Sequence, residues 1–294
     1  MLYGMIQITW TSAPEDLRNP IMVGAFRGWN DAASAASAAL SYVAGKLDAT
    51  LAGSIDPEEF YDFQSTRPHV DLTGPGADTL TWPEVEIHLA RGTERDALLV
   101  SGAEPSMRWR TFCNLLIDAA IDVGATTLVT LGAFLADTPH TRPVRLTGMS
   151  SDPELVAGMH FREPAYRGPS GIVGVLNQMS VARGLTGLSL WAPASHYAAG
   201  ITNPKAALAL VRALEATSKL AVDLTELHAA SAAYEIQVSR AVEADPRLAE
   251  LVRQLEAASD EDPTFDMGAL PSGDELALEL EQFLRERESD SGNP

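Results

Sequence analysis

Along this 294-residue chain the hydrophobic positions change rhythm again and again between about residues 20 and 220. Short continuous apolar runs alternate with stretches where apolar residues recur every three or four positions. Runs of the first kind, bounded by turn residues, predict strands buried on both faces by crossover helices. They fall at Ile21–Phe26, Thr50–Ile55, Glu84–Ala90, Ala97–Ser101, Thr127–Leu131 and Leu188–Trp191. Stretches of the second kind predict helices. Between Ser106 and Val123 the residues Trp109, Phe112, Cys113, Leu116, Ala120 and Val123 share one face. An Ala-rich helical run follows Asp31, and another helical stretch spans Ile172–Arg183. Pro204–Ser218 has Asn203 as cap, Pro204 at the first helical position, and Ala207, Leu210, Val211 and Leu214 on one side. This alternation predicts a three-layer α/β sandwich.

After about residue 222 strand signals stop, which divides the chain into a core, 1–222, and an acidic helical extension, 223–294. Asp223–Val242 reads as helix. Asp245-Pro246 caps another that carries Leu248, Leu251, Val252 and Leu255 on one stripe. An acidic link, Ser259–Gly268, follows. Ser272 and Glu275 then form a capping-box pattern before Leu276, Leu280, Phe283 and Leu284. Residues 64–83 and 132–150 read as long polar connections, of the length that usually serves function or mobility.

Composition narrows the class. Hydrophobic residues make up 46%, too many for a wholly disordered chain. No apolar run approaches the roughly eighteen residues of a membrane span. Residues 1–20 contain Glu15 and Asp16 and do not read as a secretory signal. A single cysteine, Cys113, excludes an intramolecular disulfide framework and suits a reducing cytoplasm. The 21 basic residues face 40 acidic ones, a net charge of −19. Residues 243–294 alone hold 15 acids and 4 bases. Such a chain repels phosphate backbones, which argues against nucleic acid as a partner.

The best-marked corner is Ile21–Asp31, where an apolar strand passes through Arg27 and Gly28 and delivers Trp29, Asn30 and Asp31 to a helix start. In α/β proteins such corners gather at the carboxyl edge of the sheet, where sites form. Asn30 or Asp31 can cap the helix. A bulky Trp29 in the turn is expected to pack against something.

The run Ala25-Phe26-Arg27-Gly28-Trp29-Asn30-Asp31 resembles the opening signature of the PAC2 family, relatives of proteasome assembly chaperone 2. Further stretches fit in the same order: Gly102-Ala103-Glu104-Pro105-Ser106 with Arg108-Trp109, then Pro139-His140-Thr141-Arg142-Pro143, then Tyr166-Arg167-Gly168-Pro169-Ser170-Gly171-Ile172. Leu190-Trp191-Ala192-Pro193 with His196-Tyr197, and Asn203-Pro204-Lys205-Ala206-Ala207, complete the match. The Pro-His-Thr-Arg-Pro version with an acidic helical C-terminus looks like the actinobacterial branch. The resemblance implies a core similar to purine nucleoside phosphorylases and hydrolases, with a mixed central sheet. It also implies homo-oligomers, trimers first among them, and non-enzymatic chaperone action in proteasome assembly for the eukaryotic and archaeal relatives. Proteasome-docking tails end in a hydrophobic residue, a tyrosine and one more residue, and Gly292-Asn293-Pro294 does not have that form.

The residues themselves offer several chemistries. Free N–H groups at the start of the Ile172 helix, beside Ser170, suit a phosphate or carboxylate; equally, Gly168–Gly171 is a turn with Ser170 as cap. A nucleophilic triad can be assembled from Ser170, His196 and Asp31 or Glu104, although Ser170 lacks a nucleophile elbow. Glu104 and Arg108 suit a buried ion pair. Arg142 suits a bidentate anion or a carboxylate of the core, and Arg67 likewise. Tyr197 suits a hydroxyl finishing a buried edge. Cys113 lies on an apolar stripe and reads as a small hydrophobe. The six histidines show no metal-binding spacing, and no metal or cofactor is expected. The candidate site is therefore Arg27, Trp29, Asn30, Asp31, Glu104, Arg108, His140, Arg142, Ser170 and His196, serving a protein partner or a small anionic ligand, with no residue assigned to catalysis. The alternative is an enzyme for a nucleoside-like substrate. A pocket where a base meets a nucleophile favours the enzyme, and a filled one favours the scaffold.

Overall fold

A computed structural model describes residues 7–72, 79–159, 161–162 and 166–261. In chain order the elements are β1 (Ile8–Trp10), β2 (Ile21–Arg27), α1 (Ala35–Lys46), β3 (Thr50–Ile55), β4 (His69–Asp71), β5 (Thr79–Thr81), β6 (Val85–Arg91), β7 (Asp96–Ala103) and α2 (Trp109–Asp122). They continue with β8 (Thr127–Ala136), β9 (Thr147–Ser150), α3 (Ile172–Ala182), β10 (Thr186–Ser195), α4 (Pro204–Ser218), α5 (Thr225–Glu243) and α6 (Pro246–Glu261).

Eight strands form one mixed sheet in the order β1-β3-β6-β7-β2-β8-β10-β9. The middle four, β7, β2, β8 and β10, are parallel, and antiparallel strands flank them on both sides. These four are the near-continuous apolar runs. Residues 21–26 of β2 are all buried, because α1 and α4 cover one face and α2 and α3 the other. On the first face Leu40 and Val43 of α1 meet Leu210, Val211 and Leu214 of α4 over Val23, Leu99 and Leu190. On the second, Phe112, Leu116 and Ile117 of α2 pack over Met22, Leu98 and Val100. Phe112 takes edge-on contacts from Phe26 and Phe60, with ring centroids 5.7 and 5.4 Å away. The three-layer α/β sandwich is thus the observed architecture.

Helix α4 starts as its sequence requires, with Asn203 Oδ1 accepting from the Ala206 N–H at 2.9 Å ahead of a first-turn Pro204. The two long connections are not structureless. Residues 64–83 contain the β4–β5 ribbon, and within 132–150 β8 runs on to Ala136 while β9 begins at Thr147. Of the acidic link expected over Ser259–Gly268, Ser259–Glu261 belong to α6, and the rest lies outside the described residues. The Ser272–Leu284 pattern lies outside the described residues. Among the described residues no helix is long and apolar enough to cross a membrane.

Candidate functional site

Because β2, β7, β8 and β10 run parallel, their last residues Arg27, Ala103, Ala136 and Ser195 lie along one edge, with Arg27 opposite Ala103 and Ser195 opposite Ala136. Every turn leaving that edge is thereby brought near its neighbours. Gly28 leaves β2 with φ at 131°, a conformation that suits glycine, and a Cβ there would lie 3.3 Å from Glu104 Cβ. The Glu104 N–H donates to the Arg27 carbonyl at 2.8 Å, so the β7 exit is tied to the β2 exit.

Glu104 then turns inward. Its Oε1 accepts from Asn30 Nδ2 at 2.7 Å and from the Ile172 N–H at 2.7 Å. Ile172 is the first residue of α3, so a carboxylate of this chain sits where the helix dipole and an unpaired N–H favour an anion. Asn30 is fully buried, and its Oδ1, which has no hydrogen-bond partner, lies against Gly171. A Cβ on Gly171 would come within 2.1 Å of that oxygen. Phe26–Asp31, Gly102–Glu104 and Gly171–Ile172 therefore meet at one corner, and the corner is filled from within.

Asp31 acts as a cap. Its Oδ1 accepts from Ala36 N at 2.8 Å and Ser37 N at 3.1 Å, at the start of α1. Ser170 does not cap α3: the cap position is Gly171, and the Ser170 hydroxyl donates to the Gly171 carbonyl at 3.3 Å. Glu104, reaching across from β7, takes the N–H of Ile172 instead. Arg108 does not pair with Glu104 either. It turns outward with φ at 54° at the start of α2 and meets Glu59 at 2.6 Å. Trp29 packs into neither core and is 55% exposed, because Asn30 takes the interior position beside it. Arg27 is exposed as well.

The other candidates gather further along the same edge. His140 is buried, with Nδ1 2.9 Å from the Tyr197 hydroxyl and Nε2 3.0 Å from Ser239 Oγ on α5. Its N–H donates to the same tyrosine oxygen at 2.8 Å. Burial, helped by the charge of Lys205, holds this imidazole below its ordinary pKa. Burial also raises the Tyr197 phenol. A neutral ring that accepts from Tyr197 and donates to Ser239 satisfies every group. Arg142 grips Asp260 of α6 in a fork, with Nε–Oδ1 at 2.8 Å and Nη2–Oδ2 at 2.7 Å. Its partner is thus a carboxylate of α6. His196 is half exposed and pairs with Asp137 at 3.0 Å.

Among the described residues no hydrogen bond joins Ser170 to His196, or either to Asp31 or Glu104. The imagined triad is not assembled, since each member is engaged elsewhere. Three features escaped the sequence pattern. Tyr61 donates to the Ala103 carbonyl at 2.6 Å, Ser239 holds His140, and a row of large apolar side chains stands exposed along the edge. Burial raises the Tyr61 phenol, against a weaker opposing effect of Arg27.

The sequence model of the PAC2 family matches residues 25–242, which is most of the chain and takes in the turns that build the Asn30 corner. The chain belongs to the PAC2 family. Among solved structures, this PAC2 protein is similar to a PAC2 family protein from Streptomyces avermitilis, with 42% identity, 79% of this chain and 99% of that one covered, and a TM-score of 0.71. It is also similar to a Mycobacterium tuberculosis proteasome-assembly chaperone homologue, with 38% identity, the same coverages of 79% and 99%, and a TM-score of 0.73. An archaeal proteasome activator from Pyrococcus furiosus shares the fold at 18% identity, covering 81% of this chain and all of its own, with a TM-score of 0.65. No curated protein matches the chain.

Proposed function

We propose that this PAC2 protein works by protein contact at the carboxyl edge of its sheet, as a chaperone or scaffold of the proteasome system, and not by turnover. One observation carries the reading. The corner that would hold a ligand is closed by Asn30, Glu104 and Gly171, while large apolar side chains stand free along the same edge. Trp29 is 55% exposed, Met107 43%, Leu135 40% and Ile201 36%. Exposed apolar side chains on a chain this acidic suit a protein surface better than a charged small molecule. The chaperone homologue among its structural neighbours supports the same role. The reading includes a cytoplasmic homo-oligomer, a trimer first, whose helices from Asp223 onward form an acidic extension.

The test mixes the purified full-length chain with purified proteasome subunits and follows co-elution and assembly rate. Wild type is expected to bind or accelerate assembly, and Trp29→Ala and Leu135→Glu to lose at least ten-fold. Light scattering that returns a single-chain mass near 31.4 kDa at micromolar concentration removes the oligomer from this reading. Turnover of a nucleoside, phosphoester or acyl substrate that Ser170→Ala or His196→Ala abolishes would overturn it altogether.

A further inference from the structure

Helix α6 lies against α5 and the loop Thr138–Pro143 through residues that recur every four positions. Leu248 and Val252 supply the apolar half of this stripe, and Glu256 and Asp260 the acidic half. The apolar half packs into a small cluster with Ala198, Tyr234, Val238 and Val242, separate from the two clusters that flank the sheet. Of the stripe residues only Val252 is fully buried. The acidic half meets Thr141, whose hydroxyl donates to Glu256, and Arg142, which grips Asp260 bidentately and lies 3.5 Å from Glu256. Arg142 and Asp260 are both partly exposed, and ion pairs of that kind hold weakly.

The surface beneath α6 has supports of its own. His140 ties the loop to Tyr197 and to Ser239 of α5. Lys205 of α4 donates to the His140 carbonyl and pairs with Glu235 of α5 at 2.7 Å. None of these bonds involves α6. Only Ala244 and Asp245 join α5 to α6, and Pro246 keeps the two from merging into one helix. The family match ends at Val242, before α6 begins.

We propose that this face is a preformed acceptor for an acidic amphipathic helix of a partner protein, and that α6 fills it in cis as a displaceable strap. The charge pattern selects the partner: two apolar residues, then two carboxylates, at four-residue steps. Tethering gives α6 the advantage over a free helix, so only a weakened strap or a tighter partner helix opens the face.

The test uses a labelled peptide of residues 244–261 against three full-length proteins. Wild type is expected to bind it at least ten-fold more weakly than the Glu256→Gln/Asp260→Asn variant, whose own strap is loosened. Adding Arg142→Ala to that variant is expected to cost the regained binding about two-fold. Equal binding by wild type and the loosened variant overturns the proposal, as does binding indifferent to Arg142→Ala. Hydrogen exchange on unmodified wild type supplies a second reading, with α6 amides expected to exchange at least ten-fold faster than those of α4. Exchange no faster than α4 would mean that α6 opens only with the whole fold, which overturns the strap. A wild-type mass that falls on Arg142→Ala alone would assign the face to a second copy and overturn the partner assignment.

Discussion

Strand β7 begins with one carboxylate, Asp96, and runs out into another, Glu104, and the two are accommodated in opposite ways. Asp96 is fully buried and takes Arg18 N at 2.8 Å, Arg18 Nη2 at 3.1 Å and Arg91 Nη1 at 2.9 Å. Burial alone would raise its pKa, but the hydrogen bonds from Arg18 and Arg91 outweigh it and hold the group below the ordinary carboxylate range. Glu104 takes neutral donors, the Asn30 amide and the Ile172 N–H. At the amino edge guanidinium clamps pin the segment Arg18–Asn19 against the β6–β7 turn. At the Asn30 corner of the carboxyl edge a helix start and a side-chain amide suffice, and the turns beside it present apolar side chains to solvent. Charge closes one end of β7, and shape closes the other.

That contrast breaks most readily at its two carboxylates. Asp96→Ala removes a buried partner of two arginines and leaves the Arg18 N–H unpaired, at an expected cost of about 3 kcal/mol in urea unfolding at neutral pH. The Asp96 contribution is present above the unfolded-state pKa near 3.8 and is lost as pH falls through the lower folded value. Glu104→Ala is expected to cost about 2 kcal/mol by stranding Asn30 and the Ile172 N–H. A larger loss at Glu104 than at Asp96 would reverse the ranking of the two ends. Gly171→Ala drives a methyl into Asn30 Oδ1, and calorimetry is expected to show a loss of about 1–2 kcal/mol. If Gly171→Ala is neutral, the carboxyl end of β7 is not closed by shape.

Much of this layout could be read from residue order. Strands β2, β7, β8 and β10 announce themselves because both faces are covered, which makes them near-continuous apolar runs. Strands β1, β4, β5 and β9 do not, for they have three or four residues each and carry little or no buried surface. Asp31 was legible as a cap because its partners lie five and six residues on. Glu104 and Arg142 find theirs 68 and 118 residues away, and no local spacing encodes such meetings. Arg108 shows the same limit from the other side, being close to Glu104 in sequence and yet bonded to Glu59.

Smaller effects sharpen the comparison. His140 is held neutral, so an unfolded chain binds the extra proton first. Stability is therefore full above about pH 6.5 and falls as pH drops from there toward the lowered folded value. Unfolding curves at pH 7.5 and 5.5 are expected to separate less in His140→Gln than in wild type. Arg142→Ala should leave the urea midpoint of global unfolding almost unchanged, since its ion pairs are partly exposed.

Cys113 sits on the inner face of α2, fully buried, and that burial pushes its thiol up to about 12. A thiol so seldom ionised and so poorly accessible does not react while α2 rests on the sheet. With no other cysteine in the chain, each modification event records one separation of that layer. With a thiol reagent that reacts faster than the layer recloses, the native protein acts as a clock that ticks at its own rate of opening.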